Sequence, residues 1–496
     1  MNHELEALKA KLQDLTLLHN LAALLDWDQQ INLPPKAAVN RGEQAALVGR
    51  LAHEAFTSNA FADLLAAAET AAGQNDGTAG ADDCALLKLI RRKFDREKRV
   101  PVDYVERFAA AASEAHAAWE AARRRSDFAM FRPHLEMIFQ LRREYAQFFA
   151  PYSHIYDPLL ADFESGIDTA LVQRIFARLR PRQTELIAAA AAHRVDTAFL
   201  QGPFSRDGQL AMSKLAADTL GFDWARGRLD ESEHPFTTEL GRDDVRITTK
   251  IYADNLSCLW SVLHETGHAL YGQAALAAFG NSPLGTVDSL TLHESQSRLW
   301  ENLVGRSKPF LEFLFPKLQQ IFPEALGAVS GEMFYRAVNQ VKPGLIRVDA
   351  DEATYNLHIM LRFELEVAVL TGEAEVAELP ALWNEKMRHY LGVQVPDDAH
   401  GVLQDVHWAG GAIGYFPTYA LGNLFSVQCF NALCREIPDV EAALRAGDCS
   451  GIRRWLTERL YREGARRTAP EMIRRITGGE LEPEPYLEYL QKKFVP

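Results

Sequence analysis

Residues 257–274 read SCLWSVLHETGHALYGQA, which places His264 and His268 four positions apart with Glu265 next to the first. The pattern is H-E-x-x-H. Residues four apart lie on one face of a helix, so both imidazoles can reach a single cation while Glu265 faces the position left open on it. Leu256, Trp260, Leu263, Gly267 and Leu270 recur at intervals of three and four, an apolar stripe beside the stripe of His264, His268 and Tyr271. Asp254 or Asn255 suits the cap that starts such a helix. Zinc accepts imidazole nitrogens and a carboxylate oxygen and keeps a fourth place for water, which makes this a catalytic rather than a closed structural pattern.

A site of this kind needs a third donor from a second element. Thr291-Leu-His-Glu-Ser-Gln296 supplies one inside a stretch, Val287 to Leu303, that reads as a helix with Asp288 near its start. The turn residues of Gly280-Asn-Ser-Pro-Leu-Gly285 fold it back against the first helix. Glu294 then completes a two-histidine, one-glutamate set. The neighbouring His293 is the alternative ligand, but adjacent helix positions diverge by about a quarter turn or more, so one of the two faces the metal, and Glu294 is preferred.

Outward from this centre the periodicity is helical almost everywhere. Leu5, Leu8, Leu12, Leu15 and Leu18 keep the helical interval, as do stretches around Glu43 to Ala68, Cys84 to Lys98, Tyr104 to Arg125 and Thr169 to Ala192. Glu69 to Asp83 reads as an exposed loop. Val245, Ile247, Thr249 and Ile251 alternate with Arg246, Thr248 and Lys250, the two-residue period of a strand, so a short sheet is expected beside the metal helix with a free edge for an extended peptide. Helices resume over Phe310 to Val341, Ala350 to Thr371 and Val376 to Leu391. Asp397 to Tyr419 is dense in polar, aromatic and glycine residues, as suits a loop lying against a ligand. Its Gly410, Gly411 and Gly414 follow no strand pattern, which argues against a phosphate cradle.

Composition narrows the function. The chain has 496 residues, 47% of them apolar, enough for a large core, and its net charge of −14 argues against nucleic acid or an anionic membrane as the main partner. No run of apolar residues is long enough to span a bilayer, and the charged start MNHELEALKAKLQDL has no secretory core. Five cysteines at irregular spacing, with no C-x-x-C pair, read as reduced thiols, and a cytoplasmic protein is expected.

Six motifs in one order then resemble a known family, the carboxypeptidase Taq metallocarboxypeptidases, peptidase family M32. They are His234-Pro-Phe236, Asp244-Val-Arg-Ile-Thr248, His264-Glu-Thr-Gly-His268, His293-Glu-Ser-Gln296, Ile346-Arg-Val-Asp-Ala-Asp351 and Gly401-Val-Leu-Gln-Asp-Val-His-Trp408. Leu25 to Pro34 and Arg41-Gly-Glu-Gln44 extend the likeness to the N-terminal region.

The resemblance implies a mainly α fold of the gluzincin type with a small β-sheet beside a deep groove. It implies one domain, residues 1–496, with a helical N-terminal lobe to about residue 200 and a metal-site region over about 222–430. It further implies one zinc or cobalt ion per chain, a homodimer, and removal of single residues from peptides with a free C-terminus. His264, His268 and Glu294 are the expected metal ligands and Glu265 the catalytic base and acid. His407, Tyr415 and Tyr419 are candidate oxyanion donors, because their loop resembles the histidine and tyrosine loops of related helical metallopeptidases. A guanidinium suits the terminal carboxylate, and Arg347 is the preferred anchor, with Arg246 the other candidate, structural through Asp244, and His234 a further contact. A helical zinc oligoendopeptidase is the competing expectation, since it shares the ligand logic.

Overall fold

Helix after helix packs around the segment that carries H-E-x-x-H in this computed structural model, which describes residues 3–74 and 80–495. The metal-site helix spans Ser257–Phe279, and it is buried on most of its surface: Leu259, Val262, Leu263, Ala269, Leu270 and Ala275 are among its sequestered residues. The Asn255 side chain accepts the Ser257 N–H at 3.0 Å and starts it, while Gly280, with φ of 60°, ends it.

The second helix runs from Leu290 to Arg298 and continues as a π-helical turn over Leu299–Gly305. Its start is capped by Ser289, whose hydroxyl accepts from Leu292 N, one residue beyond the Asp288 expected there. Two glycines set how closely its neighbours approach. A Cβ on Gly267 would lie 2.7 Å from the Gln296 carbonyl oxygen, and one on Gly422, in helix Pro417–Glu436, would lie 3.1 Å from Glu294 Cβ. Bare backbone at both positions lets the Glu294 helix sit between its two neighbours.

Three strands flank the metal-site helix: β1 (Leu229–Glu231), β2 (Thr237–Gly241) and β3 (Asp244–Thr249). Their order is β1-β3-β2, with β1 parallel to β3 in register Leu229↔Ile247 and β2 antiparallel in register Thr238↔Arg246. The alternation in 245–251 thus marks a real strand, and Val245 and Ile247 bury their side chains. That strand is the central one, so the edges of the sheet are β1 and β2. The partner it gains, Leu-Asp-Glu, is too short and too charged to announce itself by period.

The remaining departures come from helix punctuation. The stretch 43–68 is two helices, Ala38–Thr57 and Asn59–Gln74, because Ser58 turns out of the helix and its hydroxyl accepts the Phe61 N–H. The expected loop at 69–83 is helical up to Gln74 and again from Ala81, and residues 75–79 lie outside the described residues. The stretch 310–341 divides into Lys308–Ile321, Pro323–Leu326 and Gly331–Val338, with Pro323 and Ser330 opening the later two. The N-terminal helices hold a small core of their own, in which Leu5, Leu8, Leu12 and Leu15 meet Phe61, Leu65, Ile90 and Phe94. Leu284 and Ala465 join that core from the body of the chain. No helix among the described residues is long and apolar enough to cross a membrane.

Candidate active site

A groove of about 1090 Å³ opens beside the metal-site helix, lined by residues of that helix, β2, the Glu294 helix and the segments around Arg347 and Tyr415. At its floor the ligand atoms of His264, His268 and Glu294 all lie within 4.8 Å of one another. Glu294 Oε2 is 3.6 Å from His264 Nε2 and 3.4 Å from His268 Nε2. Ligands about 2.0–2.2 Å from a tetrahedral zinc stand roughly 3.3–3.5 Å apart, so this donor set fits one such ion. His293 does not join it. Its ring stacks on His268 with centroids 4.3 Å apart, and its Nε2 lies 3.6 Å from Glu239 Oε1.

Charges and burial hold two of the three donors, Glu294 and His268, in ligating form, whereas at His264 burial is outweighed by Glu294 and Glu301, which raise its pKa. Burial pushes the Glu294 carboxyl up, but Arg298, His264 and His268 together hold it well below the usual carboxylate range. Burial, helped by His293, lowers His268 to about 3, leaving a neutral imidazole. Glu301 sits behind His264, with Oε2 2.9 Å from Nδ1, an arrangement that places the proton on Nδ1 and turns Nε2 toward the other donors. Burial raises Glu301, yet Arg298 and His264 bring it down to about 2. Arg298 ties the pair together, donating from Nε to Glu294 Oε1 at 2.8 Å and from Nη1 to Glu301 Oε2 at 3.1 Å.

Glu265 lines the same floor, and its Oε2 accepts the Thr237 hydroxyl of β2 at 2.7 Å. Burial raises its pKa above the ordinary value, against the pull of His264 and of that hydrogen bond. A carboxyl raised in this way takes a proton more readily than an ordinary one.

The facing wall is built from arginine and aromatic side chains. Arg347 is 5% exposed; its Nε and Nη2 donate to Asp405 Oδ1 at 3.0 and 2.7 Å, and its Nη1 donates to Tyr355 Oη at 2.9 Å. These bonds use three of the five guanidinium hydrogens and leave one on each Nη. Asp405 also accepts from Arg362 Nε at 2.7 Å, so one carboxylate is shared by two guanidiniums and is held far below its normal pKa despite burial. Tyr415 and Tyr419 line the groove with their hydroxyls 3.4 Å apart.

The family described as carboxypeptidase Taq (M32) metallopeptidase matches residues 7–494. The chain belongs to the M32 family. This M32 metallocarboxypeptidase is 38% identical to thermostable carboxypeptidase 1 of Thermus thermophilus over 97% of its own length and 96% of the relative's. It is 35% identical to carboxypeptidase 1 of Bacillus subtilis, over 95% and 94% of the two chains. Among solved structures, the M32 carboxypeptidase of Deinococcus radiodurans superposes with a TM-score of 0.96 at 39% identity, covering 99% of this chain and 98% of that one. Metallocarboxypeptidase 1 of Trypanosoma cruzi does so with a TM-score of 0.95 at 34% identity, covering the whole of both chains. The mainly α fold with a small sheet is thus shared.

The remaining expected site residues of this M32 chain sort by position. His234 lines the groove. Arg246 does not line it: its guanidinium is bidentate to Asp244, at 2.8 Å for both contacts, and lies over the Trp27 ring, which agrees with the structural alternative expected for it. His407 also stands outside the lining, packed behind Tyr415 and Phe416 with ring centroids 5.3 and 4.7 Å away. Sequence reasoning passed over Glu301, Arg298, Tyr355 and the part played by Asp405. Glu301 was accessible in principle, since seven residues after Glu294 it returns to the same helix face. Tyr355 carried no signal beyond the apolar pattern of its helix.

Proposed function

We propose that the groove removes single residues, with broad specificity, from the C-termini of peptides. The observation that carries this reading is the convergence of His264, His268 and Glu294 beside Glu265, opposite a guanidinium with two uncommitted hydrogens. A divalent cation held by those three residues, zinc or cobalt by its nitrogen and oxygen donors, would supply Lewis acidity and a more acidic water. Glu265 takes the proton of the attacking water and passes it to the leaving amine. The two remaining Arg347 hydrogens receive the terminal carboxylate as a bidentate pair. Tyr415 and Tyr419 offer hydroxyls to the oxygen that gains charge, while His407 holds Tyr415 in place. His234 contacts the peptide from the side of the sheet.

This reading treats residues 1–496 as one working unit, acting as a homodimer in the cytoplasm. The experiment compares a peptide bearing a free C-terminus with its amidated copy, reading products by mass. Single-residue trimming lost on amidation is expected. Internal cleavage indifferent to amidation would instead establish the oligoendopeptidase.

A further inference from the structure

Lys493, in the last helix of the chain (Glu484–Phe494), is buried far from any role in the chemistry just described. Its ammonium donates to the Asn302 carbonyl oxygen at 3.1 Å, to Glu352 Oε2 at 2.7 Å and to Tyr489 Oη at 2.9 Å. Both Lys493 and Glu352 keep 7% of their side-chain surface.

The two segments held in this way are those that build opposite walls of the groove. Asn302 lies in the π-helical turn next to Glu301, the carboxylate behind His264. In that turn the Arg306 N–H donates to Glu301 O, but the Ser307 N–H goes to Val304 O and not to Asn302 O, the acceptor a continued π ladder would give it. Such turns displace the side chains they carry, and their carbonyls need outside donors. Glu352 stands five residues after Arg347, at the end of the segment that presents that guanidinium. Its carboxylate accepts from Tyr489 as well, at 2.7 Å, and its carbonyl accepts from Tyr486 at 3.1 Å, so the last helix grips this segment at three points. A charge removed from water at this depth persists only where its partners are complete, and Lys493 has three.

We infer that Lys493 is a positioning residue that holds the Glu301 turn and the Arg347 segment in fixed relation, coupling metal affinity to recognition of the substrate carboxylate. The inference rests on the reading of the site given above. Its reach is through backbone: the ammonium holds the Asn302 carbonyl, next to Glu301 against His264, and holds Glu352, five residues along the chain from Arg347.

The test uses the full-length chain carrying Lys493→Met, Lys493→Arg, and Lys493→Met with Glu352→Gln. Zinc affinity is measured by chelator competition, KM is measured on a free-acid peptide, and the melting midpoint is measured on metal-free protein. Lys493→Met is expected to weaken zinc binding on the order of tenfold, the lower range for disturbing a ligand's support, and to raise KM several-fold. Lys493→Arg, which keeps the donors, recovers most of both. Should Lys493→Met alone fail to fold, the double variant, which removes both buried charges together, is expected to show the same two losses. A folded variant lacking the ammonium that melts lower yet keeps zinc affinity and KM within about twofold of wild type overturns the inference, since Lys493 is then a stabilising residue only. A wild-type chain that takes up no zinc or cobalt would bring down the reading of the site, and this inference with it, whereas equal uptake by wild type and variants brings down the inference alone.

Discussion

The two walls of the groove manage charge in opposite ways. On the metal-site wall, Glu294 and Glu301 are bridged by Arg298, Arg306 donates to Glu301, and Glu265 lies beside them, so three carboxylates face two guanidiniums. On the facing wall, Arg347 and Arg362 share Asp405, so guanidiniums outnumber the carboxylate. Each wall is neutralised only in part and points its remainder into the groove. An excess of anion is what a divalent cation needs, and an excess of cation is what a terminal carboxylate needs. The chain as a whole is strongly acidic, which shows that overall charge says little about the local field a substrate meets.

Glu265→Gln breaks the comparison at its centre. Hydrolysis should fall by about 10²–10⁴-fold while metal content by elemental analysis stays that of wild type, because proton transfer is lost and the donors are kept. Residual turnover near wild type would remove Glu265 from the chemistry. Arg347→Ala tests the second wall alone. KM for a free-acid peptide should rise about 10–100-fold, the loss of a charge-assisted pair, with little change on an amidated peptide. Arg246→Ala is the control, expected to leave that ratio unchanged.

Glu301→Gln tests whether the first wall depends on its supporting carboxylate. Zinc dissociation should strengthen about 10-fold or more, with the free-acid preference intact.

The smallest effect concerns a carboxyl behind the Tyr415 loop. Glu366 accepts from Tyr156 Oη at 2.6 Å, Trp408 Nε1 at 2.8 Å and Gly414 N at 3.2 Å, and burial lifts it to about 7 against those bonds. A pKa above the unfolded value means the folded chain holds the proton more tightly. The resulting stabilisation is complete below the ordinary value of 4.5 and is lost as pH rises through about 7. Glu366→Gln, which cannot ionise, should flatten the fall in melting midpoint over that window by a few degrees.

The parts of the site that sequence made legible are those whose chemistry is local. H-E-x-x-H declares itself because one helix holds both histidines at a fixed spacing, and Glu294 follows because the turn between the two helices is short. The Asp405 bridge was hidden, since Arg347, Arg362 and Asp405 meet only after three separate segments pack together. Arg246 shows the reverse: it occupies a motif, yet two of its hydrogens go to a neighbour two residues away and its guanidinium lies over an N-terminal tryptophan. In the fold, helical period located most helices but missed the break at Ser58, where one side-chain hydrogen bond outweighs a continuous apolar pattern. β1 escaped notice because three residues are too few to display a period.

Gly267 and Gly422 lend this last contrast a practical edge. The distance between the histidine pair and Glu294 is set by bare main chain at Gly267, where a single methyl would act as a wedge between the two helices, while one at Gly422 would press on Glu294 from the helix behind it. The aperture offered to an ion is therefore written in atoms that are absent, and the smallest side chains in the centre carry as much of its tuning as the ligands themselves.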